Sequence, residues 1–195
     1  MKALFNKLLY SQNNMYKNIA KSFIKLITKR KEALSTAVEK PSNKFMEEYL
    51  YPLIGIYAVV LFIGKYFDLR EFNIQEMLRH TLAQITSLIL SFYLISVALC
   101  TLSKKYYQTE ISLKKMQIFI GYILSVDIIV NIVLEFSLPQ IFYALSLYMI
   151  VLVWEGPGIF LNLKEEKRVI AGVSAIAVFY ILKTVITSII NRLIL

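Results

Sequence analysis

An uncharged run of 23 residues, 81–103, reads TLAQITSLILSFYLISVALCTLS. A helix needs about 20 mostly apolar residues to cross the hydrocarbon of a bilayer, so this run alone is long enough to span a membrane. The whole chain follows the same trend, because 57% of its 195 residues are hydrophobic and only 18% are charged. Soluble proteins carry about 25% charged residues. The composition therefore predicts an integral membrane protein and excludes a soluble globular domain, a disordered chain and a disulfide-rich secreted module.

Four further apolar segments accompany this run along the chain. They predict an all-α fold, a polytopic bundle of five transmembrane helices preceded by an amphipathic cytoplasmic segment at the N-terminus. We assign residues 1–46 to that basic segment and residues 47–195 to the membrane bundle. The predicted spans are about 49–66, 80–103, 114–136, 138–163 and 169–192.

Lysine and arginine are unevenly distributed between the segments on the two sides of the predicted bundle. With the N-terminus in the cytoplasm, seventeen of these cations lie in inside segments and four in outside segments. Cytoplasmic loops of membrane proteins carry the excess of positive charge. We therefore expect an integral protein of the inner (cytoplasmic) membrane, with its N-terminus in the cytoplasm and its C-terminus outside.

The N-terminal segment is both basic and amphipathic. Residues 1–45 contain ten Lys and Arg but only two acidic residues. Ile19, Phe23, Leu26 and Ile27 recur at helical spacing, so residues 17–34 are predicted to form a helix that lies apolar side down on the cytoplasmic membrane surface. The cations expected to face anionic headgroups are Lys17, Lys21, Lys25, Lys29, Arg30 and Lys31. Nucleic acid, the other partner of basic runs, is not expected, because no stacking pattern accompanies them.

Three charged residues, Asp127, Glu155 and Lys183, fall inside predicted spans and away from the ends of those spans. Each costs about 2.5–3.5 kcal/mol to insert and by default indicates a functional site. Counted from the last cytoplasmic cation at 1.5 Å per residue, Asp127 lies roughly 18 Å deep and Lys183 roughly 22 Å deep, so we predict that they pair. The alternative is that Lys183 extends alone to the outer headgroups while Asp127 faces a polar cluster with Asn131.

The fourth predicted span contains a potential helix break directly after Glu155. Gly156, Pro157 and Gly158 combine a missing backbone N–H with two flexible residues. We expect a kink here that frees backbone carbonyls, an arrangement that lines substrate sites in some transporters.

Catalytic, cofactor and metal sites are not expected in this sequence. Cys100 is the only cysteine and His80 the only histidine. A Cys cage, a His-rich metal site and a Ser-His-Asp triad therefore have almost no residues to draw on. Glycine-rich phosphate-binding loops are also missing from the sequence. We expect a protein that is not an enzyme.

Motifs near both ends of the chain resemble one family. Residues 143–157 read YALSLYMIVLVWEGP, residues 162–168 read NLKEEKR, and residues 39–42 and 49–53 read EKPS and YLYPL. These motifs are similar to the L-Y-x-x-Y-L-x-x-G-hydrophobic-P helix, the Lys/Glu-rich turn, and the E-x-P-S and Y-x-x-P-L elements of the Yip family, in its bacterial branch. Arg30 and Leu34 stand where the family usually has Pro and Trp.

The resemblance covers about residues 21–193. It implies a five-pass fold and a membrane-shaping, trafficking or adaptor role. The eukaryotic members interact with Rab/Ypt GTPases, a property that we do not transfer to this chain.

Two functions remain open at this stage. The first is a non-enzymatic membrane adaptor or organiser that acts through association with protein or lipid. Its partners would be a bilayer with anionic headgroups, a second copy of the chain, or other membrane proteins. The alternative is a small transporter or channel component that uses Asp127, Glu155 and Lys183.

Overall fold

The computed structural model describes residues 17–39, 41–69, 73–135, 139–161, 163 and 165–195, with the backbone alone for 38, 39, 68, 69, 135 and 139–144. Within these residues every regular element is a helix, so the predicted all-α class is confirmed. Residues 1–16 of the predicted N-terminal segment and residue 138, where the fourth predicted span begins, lie outside the described residues.

The described chain folds into eight α-helices and one π-helical turn. Helix α1 covers residues 17–28. The others are α2 Arg30–Glu39, α3 Ser42–Phe45, the π-helical turn Met46–Leu50, α4 Tyr51–Leu69, α5 Ile74–Tyr107, α6 Leu113–Glu135, α7 Pro139–Phe160 and α8 Glu165–Ile194.

Four helical stretches of the described chain are long and apolar enough to cross a membrane. They are Ser42–Phe67, Ile74–Tyr107, Leu113–Leu134 and Glu165–Ile194, and the apolar stretch Leu145–Phe160 of α7 is shorter. The chain is therefore a polytopic membrane protein, and the count of five spans stays a prediction. Helices α5 and α8 extend beyond the predicted spans 80–103 and 169–192 at both ends, whereas α7 is shorter than the predicted 138–163. The side chain of Asn73 accepts a hydrogen bond from the Glu76 amide at 3.2 Å and caps α5.

Helix α6 lies at the centre of the bundle. It packs against α4, α5 and α7, while α8 packs along α5 and α7. Every residue from Ile118 to Ile128 is buried, as expected for a helix that is hydrophobic on all sides. Gly121 lies so close to the ring of Phe45 that a Cβ there would clash, so this small residue allows close packing.

The two N-terminal helices pack back onto this bundle. Helix α2 contacts α6 and α7, and we call the end of the bundle that α1 and α2 cover the tail end. The helix predicted over 17–34 bends at Lys29 and continues to Glu39. Hydrogen bonds from Lys29 N to Lys25 O at 2.8 Å and from Ala33 N to Lys29 O at 2.9 Å span the bend, so the helical hydrogen bonding continues through it.

Candidate functional site

A bidentate ion pair joins the N-terminal segment to the bundle. Arg30 Nε donates to Glu155 Oε2 at 2.6 Å, and Arg30 Nη2 donates to Glu155 Oε1 at 2.7 Å. The two side chains are 28% and 17% exposed, so this contact is largely withdrawn from solvent. These hydrogen bonds raise the pKa of Arg30 above its ordinary value, which keeps the guanidinium charged. Bidentate Arg–carboxylate pairs fix geometry as well as contributing energy, so α2 is held in register on α7.

Tyr148 forms a second contact between the same two parts of the chain. Its hydroxyl donates to the backbone carbonyl of Leu26, and the guanidinium of Arg30 lies 5.9 Å from the centroid of its ring. Tyr148 and Glu155 are seven residues apart on α7, which places them on one helix face two turns apart. One face of α7 therefore binds both the end of α1 and the start of α2.

Much of the apolar side of the N-terminal segment is covered by protein. Ile19, Leu26 and Leu34 are buried in the same core cluster as α6, with Ala33 and Ala37 beside them. The prediction that this side lies down on the membrane is therefore wrong for Ile19 and Leu26, whereas Ile27 of the predicted side is 39% exposed. The physical reason is that α6 and α7 are apolar at the tail end, and the amphipathic helices bury that surface along with their own.

The cations of the N-terminal segment fall into two groups. Arg30 was predicted to face headgroups, and this is wrong because Glu155 binds it. Lys25 pairs with Glu32 at 3.0 Å, which holds the pKa of that carboxyl below its ordinary value, and Lys29 lies 3.8 Å from the same carboxyl. The remaining candidates are exposed, namely Lys17, Lys21 and Lys31. These three leave a basic outer surface on the docked segment.

The predicted helix break after Glu155 does not occur. Helix α7 continues through Pro157 to Phe160, although the proline has no N–H to bond the Val153 carbonyl, so the kink and the freed carbonyl stay a prediction. Gly156 serves packing instead, since a Cβ there would overlap the ring of Phe119 on α6. A Cβ on Gly158 would likewise overlap the side chain of Arg168.

The predicted pair between Asp127 and Lys183 is present. Lys183 Nζ donates to Asp127 Oδ1, and Asp127 is 3% exposed while the Lys183 side chain is 29% exposed. Asn131, which belonged to the alternative, donates from Nδ2 to the backbone carbonyl of Asp127 at 2.9 Å. The pair ties α8 to the central helix α6. Glu155 pairs with Arg30, so the three charges predicted to be intramembrane take part in two separate ion pairs between helices. No observation favours transport.

A family model agrees with this architecture. The Yip1 domain matches residues 26–186 of the chain, which is most of its length. The chain belongs to the Yip1 domain family. No curated protein and no solved structure matches the sequence.

The Yip1 match begins at residue 26, inside α1, and therefore includes part of the N-terminal segment. The two ion pairs that involve Asp127, Glu155 and Lys183 fall within it, Arg30 with Glu155 and Asp127 with Lys183. The docked helix α2 thus belongs to the region that matches the Yip1 domain.

Polar contacts that the sequence analysis missed also hold this Yip1 domain together. Tyr49 donates to Ser125 at 2.9 Å and joins the first span to α6. The hydroxyls of Ser87 and Thr187 lie 2.8 Å apart and join α5 to α8. Ser87 is buried, and its spacing along α5 gives no signal for its partner on α8.

Proposed function

We propose that this Yip1-family protein is a non-enzymatic membrane adaptor that acts by association. The observation that supports this most is the docked N-terminal segment, which is fixed by Arg30 and Glu155 and leaves Lys17 and Lys31 exposed. A rigid basic surface at a membrane can attract an acidic partner protein or an anionic membrane, because each surface cation contributes about 1 kcal/mol.

The proposal includes the orientation and the location. The N-terminal segment would lie in the cytoplasm, on the side where Lys104, Lys105, Lys114 and Lys115 add further positive charge. The membrane would be the inner (cytoplasmic) membrane. A second copy of the chain or another membrane protein would be the binding partner.

The test is recovery of the full-length protein from native membranes in polymer-bounded nanodiscs, with self-association and copurifying proteins quantified by mass spectrometry. We expect a recovered association that weakens as salt rises, because exposed charges are screened over about 10 Å at 0.1 M salt. Lys17→Gln with Lys31→Gln should weaken it by about fivefold for each lysine.

The matched control is Lys104→Gln with Lys105→Gln, which removes the same charge from the end of α5. This control should retain the association. Recovery of the wild-type protein with neither a copy of itself nor any partner would refute the proposal.

A further inference from the structure

A polar cavity lies between α1 and the start of the first span. It encloses about 280 Å³, and its lining includes Asn18, Lys21 and Ser22 of α1 together with Lys44 and Glu48. Two lysines and one glutamate are among its lining residues, so the net charge of the lining favours an anion. The amide and the hydroxyl add neutral hydrogen-bond donors of the kind that phosphate oxygens accept.

An apolar groove lies further along the same helix, between α4 and α5. It encloses about 410 Å³ and is lined by Tyr51, Ile54, Gly55, Leu88 and Phe92, among others. Gly55 opens onto empty space, since a Cβ built there would have no atom within 4 Å. Both helices belong to candidate membrane spans, so the medium outside the groove is lipid hydrocarbon.

The distance between the two features matches one leaflet of a bilayer. Lys44 and Gly55 lie on the continuous helical stretch Ser42–Phe67. Eleven residues at 1.5 Å each separate them, which is roughly 16 Å. Half of the hydrocarbon core of a bilayer is about 15 Å thick. A phospholipid with its phosphate at Lys44 would therefore have an acyl chain long enough to reach Gly55.

We propose that the protein binds an anionic glycerophospholipid at this place. The phosphate lies in the polar cavity at Lys21 and Lys44, and one acyl chain fills the groove at Gly55. The inference deepens the proposed function, on which it rests, by naming a lipid partner for the N-terminal segment. It also assigns Lys21 a role distinct from that of Lys17 and Lys31.

Native mass spectrometry of the full-length protein in detergent, titrated with phosphatidylglycerol or with phosphatidylcholine of the same chains, tests the proposal. Wild type should bind phosphatidylglycerol more tightly. Lys21→Gln with Lys44→Gln should weaken phosphatidylglycerol binding by about fivefold for each lysine, whereas Lys104→Gln with Lys105→Gln should not. Glu48→Gln should tighten it severalfold, since the repelling carboxylate is removed.

Gly55→Leu tests the acyl-chain part of the site. The leucine side chain has room in the groove, so the fold should be retained while binding of both lipids falls at least fivefold. Glycerophosphoglycerol, the headgroup without chains, should not compete with phosphatidylglycerol.

Equal affinity for the two lipids, or wild-type binding by both the Lys21/Lys44 and the Gly55 variants, would overturn the proposal. Competition by glycerophosphoglycerol would also overturn it, in favour of a site for a free phosphate ester. Failure of the proposed function is distinguished from failure of this inference, because the proposed function is tested by the proteins that copurify in nanodiscs and by the variant Lys17→Gln with Lys31→Gln.

Discussion

Replacing Lys183 by methionine is expected to lower the free energy of unfolding by about 3 kcal/mol. The substitution leaves Asp127 without its cation, although that carboxylate is 3% exposed and Oδ2 already has no hydrogen-bond partner among the described residues. A lone buried charge must either be neutralised or draw in water, and both cost stability. The measurement is reversible unfolding of the full-length protein in mixed micelles.

Substitution of the other partner of the pair should cost less stability. Asp127→Asn leaves a lysine whose side chain is 29% exposed and whose stem can extend toward a headgroup, so we expect a loss of about 1 kcal/mol. The double variant should lose clearly less than the sum of the two single losses. Thr184→Met, an exposed position beside Lys183, is the matched control and should stay within about 0.5 kcal/mol of wild type. Strict additivity of the two single losses would show that the pair contributes nothing.

Substitution Glu155→Gln is expected to release the N-terminal segment from the bundle. Loss of one partner of a desolvated pair costs about 2 kcal/mol or more, which corresponds to a roughly 30-fold rise in the opening equilibrium. Hydrogen exchange of the α2 amides in nanodiscs of neutral lipid reports that equilibrium directly. We expect exchange in α2 to accelerate by about that factor while α6 stays protected.

A double variant that exchanges the charges of Arg30 and Glu155 gives the decisive comparison. Arg30→Glu combined with Glu155→Arg should recover much of the lost protection, since the pair can form again with its partners reversed. Glu166→Gln, at an exposed position on α8, removes the same charge without touching the pair and should leave exchange in α2 unchanged. Unaltered exchange in the Glu155 variant would mean that this carboxylate does not hold the segment.

The membrane helices and one of the two long-range ion pairs, Asp127 with Lys183, could be predicted from the sequence. Long uncharged runs require helices, because backbone polar groups in hydrocarbon must bond within their own segment. Asp127 and Lys183 could be matched because both follow a cytoplasmic cation and helical rise converts residue counts into depth. Such counting works only for residues within regular spans.

The docking of the N-terminal segment could not be predicted in the same way. The spacing of Ile19, Phe23 and Leu26 shows which side of a helix is apolar, but a lipid surface and a protein surface satisfy that pattern equally well. Arg30 and Glu155 are 125 residues apart, and no local pattern connects them. The sequence does place Tyr148 and Glu155 on one face of α7. That spacing indicates a docking face only when a helix is known to pack there.

The continuation of helix α7 through Pro157 could not be predicted from the sequence. A proline inside a helix removes one backbone hydrogen bond and favours a kink or an end, but α7 contains Pro157 and ends three residues later at Phe160. Gly156 and Gly158 leave room for the side chains of Phe119 and Arg168, and only the tertiary structure shows these contacts.

The central claim is that the N-terminal segment is a protein-packed part of the Yip1 domain rather than a helix on the lipid surface. Photo-leucine at position 34 tests it, because Leu34 is 1% exposed, with position 24 as the matched control, because Ile24 is 58% exposed. After illumination in native membranes, we predict that position 34 cross-links to peptides of α6 or α7, while position 24 reacts with lipid or solvent. Lipid adducts at position 34 in the same proportion as at position 24 would contradict the docked arrangement.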